Sequence, residues 1–300
     1  MNRLTLIPML LALLASSAPA ASDDALLLCG FEEVFAVSPR ALAAGKVEKL
    51  WSWKAEGREG LPEAVARRFG TTDDCKPVRD GRQVLITSSG GGCALVDYPS
   101  GAVKWSAVVE NAHSIELLPG DRVVVAGSTG ANGNRLVLFD LARPDAPIWH
   151  APLHSAHGVV WDEPRRALWA IGYDELRRYS LADWDSDRPS LKLERTHPLP
   201  DDGGHDLQAV PGSNDLAVTT HATVSLFDRE TGEFRPHPAL GGRKHVKALA
   251  IHPTTGETYF VQADSPEWWS RSLRSLDPPR TIPVEGERLY KARWLIDEKR

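Results

Sequence analysis

The sequence predicts an all-β fold: a six-bladed β-propeller closed by pairing of the C-terminal strand into the N-terminal blade. Three observations lead there. Short runs rich in Val, Leu, Ile and aromatic residues alternate with Gly, Pro, Asn and Asp clusters, which is the strand-and-turn pattern. The starts of comparable runs at Cys75, His113, His157, His205 and His245 lie 38, 44, 48 and 40 residues apart, and four strands per unit at that period denote propeller blades. The two ends also complement each other. "ALLLCGFEEVFAVSPRALAAGKVEKLWSW" supplies three strands without an opening inner strand, and "RLYKARWLIDEKR" supplies one inner strand with nothing after it. A β-sandwich of irregular strands is the alternative architecture.

In chain order, the segment "MNRLTLIPMLLALLASSAPA" has Arg3, a short apolar stretch over Leu4–Leu14 and the small-residue site Ala18-Pro19-Ala20. It reads as a signal peptide over residues 1–20, with a single domain over 21–300 and a periplasmic or secreted destination. The apolar stretch is too short for a membrane span, and no later one is longer. "LPEAVARRFG" (Leu61–Gly70) is the one fair helix candidate. Within a blade, Leu118-Pro119-Gly120-Asp121 makes a turn, "RVVVAG" (Arg122–Gly127) a strand, and "RLVLFD" a strand ending in Asp. "HGVVWDEPRRALWAIGYDELRRYSLADWD" and "HDLQAVPGSNDLAVTTHATVSLFDRETGEF" repeat that order, and "YKARWLI" resembles "VKALAI" as an inner strand. Cys75 and Cys93 fall in one repeat and are candidates to pair, which would leave Cys29 over, although spacing alone cannot assign the bond.

Composition narrows the function. A net charge of -5 and a pI near 6.1 argue against nucleic-acid binding, which wants a basic face. "GGGC" and "GSTGANGN" are glycine-rich, but no helix follows to cradle a nucleotide, and no G-x-S-x-G elbow is present.

"LFDRETGE" (Leu226–Glu233) and "LVDYPSGAVKWS" (Leu95–Ser106) resemble the turns of quinoprotein-like and WD40-like blades. Over residues 25–300 the chain also resembles an uncharacterised group of secreted bacterial propellers with histidine-headed inner strands. Such a resemblance implies architecture; activity has to be argued from the site.

In a propeller the first strand of each blade lines the central channel, so residues heading those strands converge on one face. The expected ring is Asp74-Cys75-Lys76, His113, His157, His205, His245 with Lys247, and Tyr290 with Lys291; Val246 is the alternative occupant beside His245. Loops carrying Glu32-Glu33, Ser88–Gly92, Ser128–Asn134, Tyr173-Asp174, His221 and Asp264 should rim the same mouth.

Three readings of this ring stand side by side. His113, His157, His205 and His245 could hold a divalent metal such as Zn, Mn, Fe or Ni. Lys76, Lys247 and Lys291, with Asp174 and the ring-stacking pair Trp268 and Trp269, could bind an acidic saccharide or another small anion. Or each histidine makes a hydrogen bond copied from blade to blade. The most specific enzymatic expectation is a lyase acting on uronate-containing saccharides, with His221, Tyr173 and Tyr290 as acid–base groups. In placing histidines at a propeller axis the chain is similar to oligogalacturonate and ulvan lyases. A lactonase-like site would want Glu, Asn and Asp where this chain has histidine. The alternative function is a non-catalytic propeller binding a glycan, metabolite or protein.

Overall fold

A computed structural model describes residues 24–143 and 146–296; the expected signal segment lies outside them. Six antiparallel sheets of four strands stand around a central axis. Blade one comprises β1 (Ala25–Gly30), β2 (Glu33–Val37) and β3 (Lys49–Lys54), and its inner strand is β24 (Lys291–Leu295). Blade two is β4 (Thr72–Val78), β5 (Gln83–Ser88), β6 (Gly92–Asp97) and β7 (Val103–Val108). Blade three is β8 (Ala112–Leu118), β9 (Arg122–Gly127), β10 (Arg135–Asp140) and β11 (Trp149–Pro152). Blade four is β12 (Gly158–Asp162), β13 (Ala167–Ile171), β14 (Glu175–Ala182) and β15 (Ser190–Pro198). Blade five is β16 (Asp206–Ala209), β17 (Asp215–Thr219), β18 (Val224–Asp228) and β19 (Phe234–Pro236). Blade six is β20 (Val246–Ile251), β21 (Thr258–Gln262), β22 (Ser272–Ser275) and β23 (Arg280–Pro283).

The closure is the one the chain ends predict. β24 runs antiparallel to β1, with Ala25 opposite Leu295 and Cys29 opposite Lys291. The physical cause lies in side-chain alternation. Successive residues of a strand face opposite sides of the sheet, and each blade is sandwiched between two others, so both faces must be apolar. In β1, Leu27 and Cys29 pack toward blade two while Leu26 and Leu28 pack toward blade six. Six such clusters, one per blade interface, make up the core. A single continuous apolar run such as "ALLLC" therefore serves two interfaces.

Two expectations need correction. The helix read over Leu61–Gly70 shortens to α2 (Glu63–Ala66), because Phe69 turns inward and meets Trp53 edge-on at 5.4 Å. A second short helix, α1 (Pro39–Ala43), interrupts the β2–β3 connection, with Ser38 Oγ accepting from the Ala41 amide as an N-cap. The cysteines do not pair: all three are buried free thiols. Cys75 faces blade one and Cys93 faces blade three, so the two side chains leave opposite faces of the same sheet and no disulfide geometry exists between them.

Candidate functional site: the histidine mouth of a plugged channel

All six inner strands run in one direction along the axis, and their lining residues fall into three layers. The upper layer holds Asp73, His113, His157, His205, Lys247 and Tyr290, one from each blade. Local backbone irregularity puts them there. In blades two, three and six the ladder register shifts between Thr72 and Asp74, Ala112 and Ser114, and Val246 and Ala248. Asp73, His113 and Lys247 are thus the unpaired extra residues of β-bulges, which re-aim a side chain. In the other three blades the amides of His157, His205 and Tyr290 donate to Ile171, Thr219 and Cys29, the same residues that pair with the next position along.

This register refines the expected ring. Asp73, rather than Asp74, occupies the slot in blade two, and Lys247 occupies it in blade six. His245 precedes the strand in an exposed left-handed turn (φ 59°) and stands outside the histidine cluster. His113, His157 and His205 do converge. Their ring centroids are 4.2 Å apart for His113–His157 and 5.5 Å for His157–His205, and His221 follows at 4.8 Å from His205. Gly203 makes room for His221: it adopts φ +70°, and a Cβ there would fall 2.2 Å from the imidazole Nδ1.

The middle layer is a plug. Lys291 and Arg293 of blade one meet Asp74 of blade two and Asp206 of blade five. Arg293 Nε reaches Asp74 at 3.0 Å, its terminal nitrogens hold Asp206 at 2.6 and 2.9 Å, and Lys291 Nζ lies 3.2 Å from Asp206. Ser114 Oγ donates to Asp74 at 2.6 Å. Burial would raise the Asp74 pKa, but the adjacent Arg293 and Lys291 charges hold it well below the carboxylate range. Lys291 is fully buried and committed to this quartet, so it underlies the mouth instead of facing a ligand.

Lys76 is also not at the histidine mouth. It belongs to the lower layer with Glu116 and Gln208, pairs with Glu116 at 3.0 Å, and lines a cavity of about 350 Å³ at the opposite mouth, walled by Trp161 and Trp294 and roofed by the Arg293 of the plug. The two-residue alternation of each inner strand is the signal that separates Lys76 from Asp74 by one layer.

Hydrogen bonds assign the proton positions of the upper layer. A carbonyl can only accept, so Nδ1 of His113 (3.0 Å from Asn111 O) and of His157 (2.8 Å from Ser155 O) must carry the proton. Their Nε2 atoms are then lone-pair acceptors. His205 is the reverse: its Nε2 accepts from the Lys247 ammonium at 2.8 Å, leaving Nδ1–H buried with no acceptor among the described residues. Burial pushes His113 down to about 4, and the Lys291 and Lys247 charges act in the same direction. His157 and His205 are likewise held well below the ordinary imidazole value, chiefly by burial. Burial also lowers Lys247 to about 8, and raises Asp73 to about 8 against the opposing hydrogen bonds from Ser89. Tyr290 is raised by burial. At neutral pH the layer thus contains neutral imidazoles, a protonated carboxyl whose oxygen lies 3.5 Å from His113 Nε2, and one ammonium.

The rim carries the remaining expected residues. Tyr173 donates to Asp202 at 3.0 Å, which raises its pKa, and His221 Nδ1 lies 3.8 Å from the same carboxylate. Asp174 is exposed on the β13–β14 turn. Trp268 is 42% exposed, stacks on Phe31 at 5.3 Å and meets Tyr290 edge-on at 5.5 Å. Trp269 is buried against Phe31 and beneath Arg271, a packing role. Among the described residues no group of three or more His, Cys, Asp or Glu side chains already has an arrangement that could hold a metal.

The molecule is therefore a six-bladed β-propeller whose channel is plugged midway and opens on one face into a histidine-lined mouth. A family model described as a family of unknown function (DUF6528) matches residues 34–299, and the chain belongs to that family. No functionally curated protein matches its sequence. A solved structure titled "Crystal structure of Nidogen/Laminin Complex" superposes with a TM-score of 0.61 at 11% identity, covering 91% of this chain and 99% of that one. At that identity the likeness concerns the fold alone.

Proposed function

We propose that the histidine mouth binds a small acidic ligand, a uronate-bearing saccharide by preference, and that the upper layer performs proton transfer on it. The observation carrying this reading is Lys247. Its side chain is buried, and its ammonium meets a neutral imidazole nitrogen instead of a carboxylate. A buried cation with no counterion is costly, and a ligand carboxylate would supply the missing charge. The exposed face of Trp268 offers a sugar ring a stacking surface beside the same opening.

β-Elimination from a uronate fits these groups. Lys247 neutralises the carboxylate and acidifies the adjacent C–H. Nε2 of His113 or His157, unprotonated at neutral pH, takes that proton. The C–O bond to the leaving sugar breaks as the C=C bond forms, and the departing oxygen takes a proton from Tyr290 or from the protonated Asp73. His221 and Tyr173 position the substrate from the rim. Incubation with a panel of polyuronates, read by the absorbance of the unsaturated product, tests the chemistry, and calorimetry with glucuronate and galacturonate tests binding. Binding without product would leave a non-catalytic saccharide-binding propeller; neither binding nor product would overturn the reading. Export belongs to the same proposal, and N-terminal sequencing of material from the periplasm or medium should find a start just after Ala20.

One observation favours a second reading. The carbonyls of Asn111 and Ser155 fix the tautomers of His113 and His157 in the manner of outer-shell groups around a metal. A divalent Zn, Mn, Fe or Ni ion would take their Nε2 atoms, with His205 joining once Lys247 releases it. Metal content and melting temperature before and after chelation test this; a metal-free protein with unchanged melting would exclude it.

A further inference from the structure

A second cavity, about 360 Å³ in volume, lies between blades four and five, away from the channel. Its walls are basic: Arg165, Arg178, Arg195 and Arg229, with Trp169, His197 and Glu230. Two of these arginines stand side by side without a directly paired carboxylate among the described residues. Trp169, Arg178 and Arg195 are directly opposite one another on β13, β14 and β15, so they share one face of blade four. Like charges placed opposite each other across a sheet repel. Among the described residues no ion pair joins Arg178 or Arg195 to a carboxylate: Glu194, the neighbouring acid on β15, bonds Ser180 and Lys192 and attracts Arg178 only at longer range.

The other two arginines frame the cavity from the turns. Arg229, whose side chain is 7% exposed, is locked onto Asp162 at 2.9 Å, and Arg165 spans Asp162, Asn214 and Glu230. An independent observation points to a ligand. The Trp169 indole is 1% exposed, lines this cavity, and its N–H has no hydrogen-bond acceptor among the described residues. An unmade buried donor beside two guanidinium groups without a paired carboxylate is the complement of an oxyanion. His197 stays neutral, since partial burial and the adjacent Arg195 lower its pKa, so the guanidinium pair supplies the charge.

We propose that this groove binds a tetrahedral oxyanion, a phosphate or sulfate ester, between Arg178 and Arg195 with the Trp169 N–H as a third donor. Donors converging from three adjacent strands suit an anion with several oxygens better than a flat carboxylate, and the volume leaves room for the group that carries it. The site is separate from the histidine mouth and does not depend on the function proposed there.

Thermal melting at fixed ionic strength tests the proposal on the whole protein, with sodium chloride, acetate, inorganic phosphate and inorganic sulfate compared at neutral pH. Phosphate, sulfate or both should raise the melting temperature saturably, beyond chloride and acetate, and whichever does so names the ester class. In the double variant Arg178→Gln, Arg195→Gln the saturable part should vanish, with about a tenfold or greater loss of apparent affinity for each arginine removed. Any general salting-out by sulfate would persist in the variant without saturating. In low-salt chloride that variant should melt no lower than the parent, because it removes a repulsive pair. If it does not fold, Arg195→Gln alone, at an exposed position, carries the test. An equal response to chloride, or a saturable response retained in the variant, would overturn the proposal.

Discussion

Arg293 of blade one grips Asp206 of blade five through both terminal nitrogens, at 2.6 and 2.9 Å, reaching past blade six inside the channel. Its Nε holds Asp74 of blade two at 3.0 Å. One side chain thus links blades one, two and five, and it closes the channel beneath the histidines. Replacing Arg293 by Met should cost about 3–5 kcal/mol, since two buried carboxylates lose their main counter-charge. Urea denaturation measures this, and a loss below 1 kcal/mol would show that the plug contributes little to the fold.

Lys247 makes stability depend on alkaline pH. Its folded value of about 8 lies below the ordinary lysine value. Between those two values the unfolded chain holds more protons than the folded one, so this group's contribution rises with pH. Above about pH 10 the raised Tyr290 opposes it, which leaves pH 8–10 as the clean window. Wild type should gain on the order of 2 kcal/mol there relative to Lys247→Met. Parallel pH profiles for the two proteins would refute the buried ammonium, and the acidic-ligand reading with it.

Asp73 acts in the opposite sense. Its folded value near 8 lies above the ordinary carboxylate value, so its favourable contribution is complete in acid and is lost as pH rises toward 8. His113, lowered to about 4, adds stability with rising pH only up to the ordinary imidazole value, so pH 6.5–8 isolates Asp73. Wild type should lose on the order of 2 kcal/mol across that interval relative to Asp73→Asn, read from denaturation midpoints at each pH.

The adjacent tryptophans should separate function from packing. Trp268→Ala removes an exposed ring and should leave stability within about 0.5 kcal/mol while weakening saccharide binding. Trp269→Ala empties a buried site and should cost about 3 kcal/mol or more. Melting and calorimetry on both variants check the pair, and a Trp268→Ala protein with undiminished saccharide binding would remove that ring from the site.

Much of this was legible in the chain. The 38–48-residue spacing of comparable runs marks the blades, and the match between "YKARWLI" and "VKALAI" marks β24 as the missing inner strand. Both signals are periodic, and strand periodicity survives whatever the neighbours do. The convergence of His113, His157 and His205 follows from the same repeat.

Tertiary structure decided what periodicity cannot express. A one-residue bulge in β4 and in β20 puts Asp73 and Lys247 in the ring and leaves Asp74 to the plug and His245 to solvent. The two-residue alternation of the inner strands then sends Lys76 to the opposite mouth and buries Lys291 between two aspartates. Because side chains alternate along a strand, a shift of one residue changes which layer or face each one joins, and only the assembled ladder fixes that register. The ionisation states depend on depth of burial, which is a property of all six blades together. Sequence alone determined which blades exist and that His113, His157 and His205 head three of them; the packed ring decided the remaining heads, which residues face one another, and in what charge state.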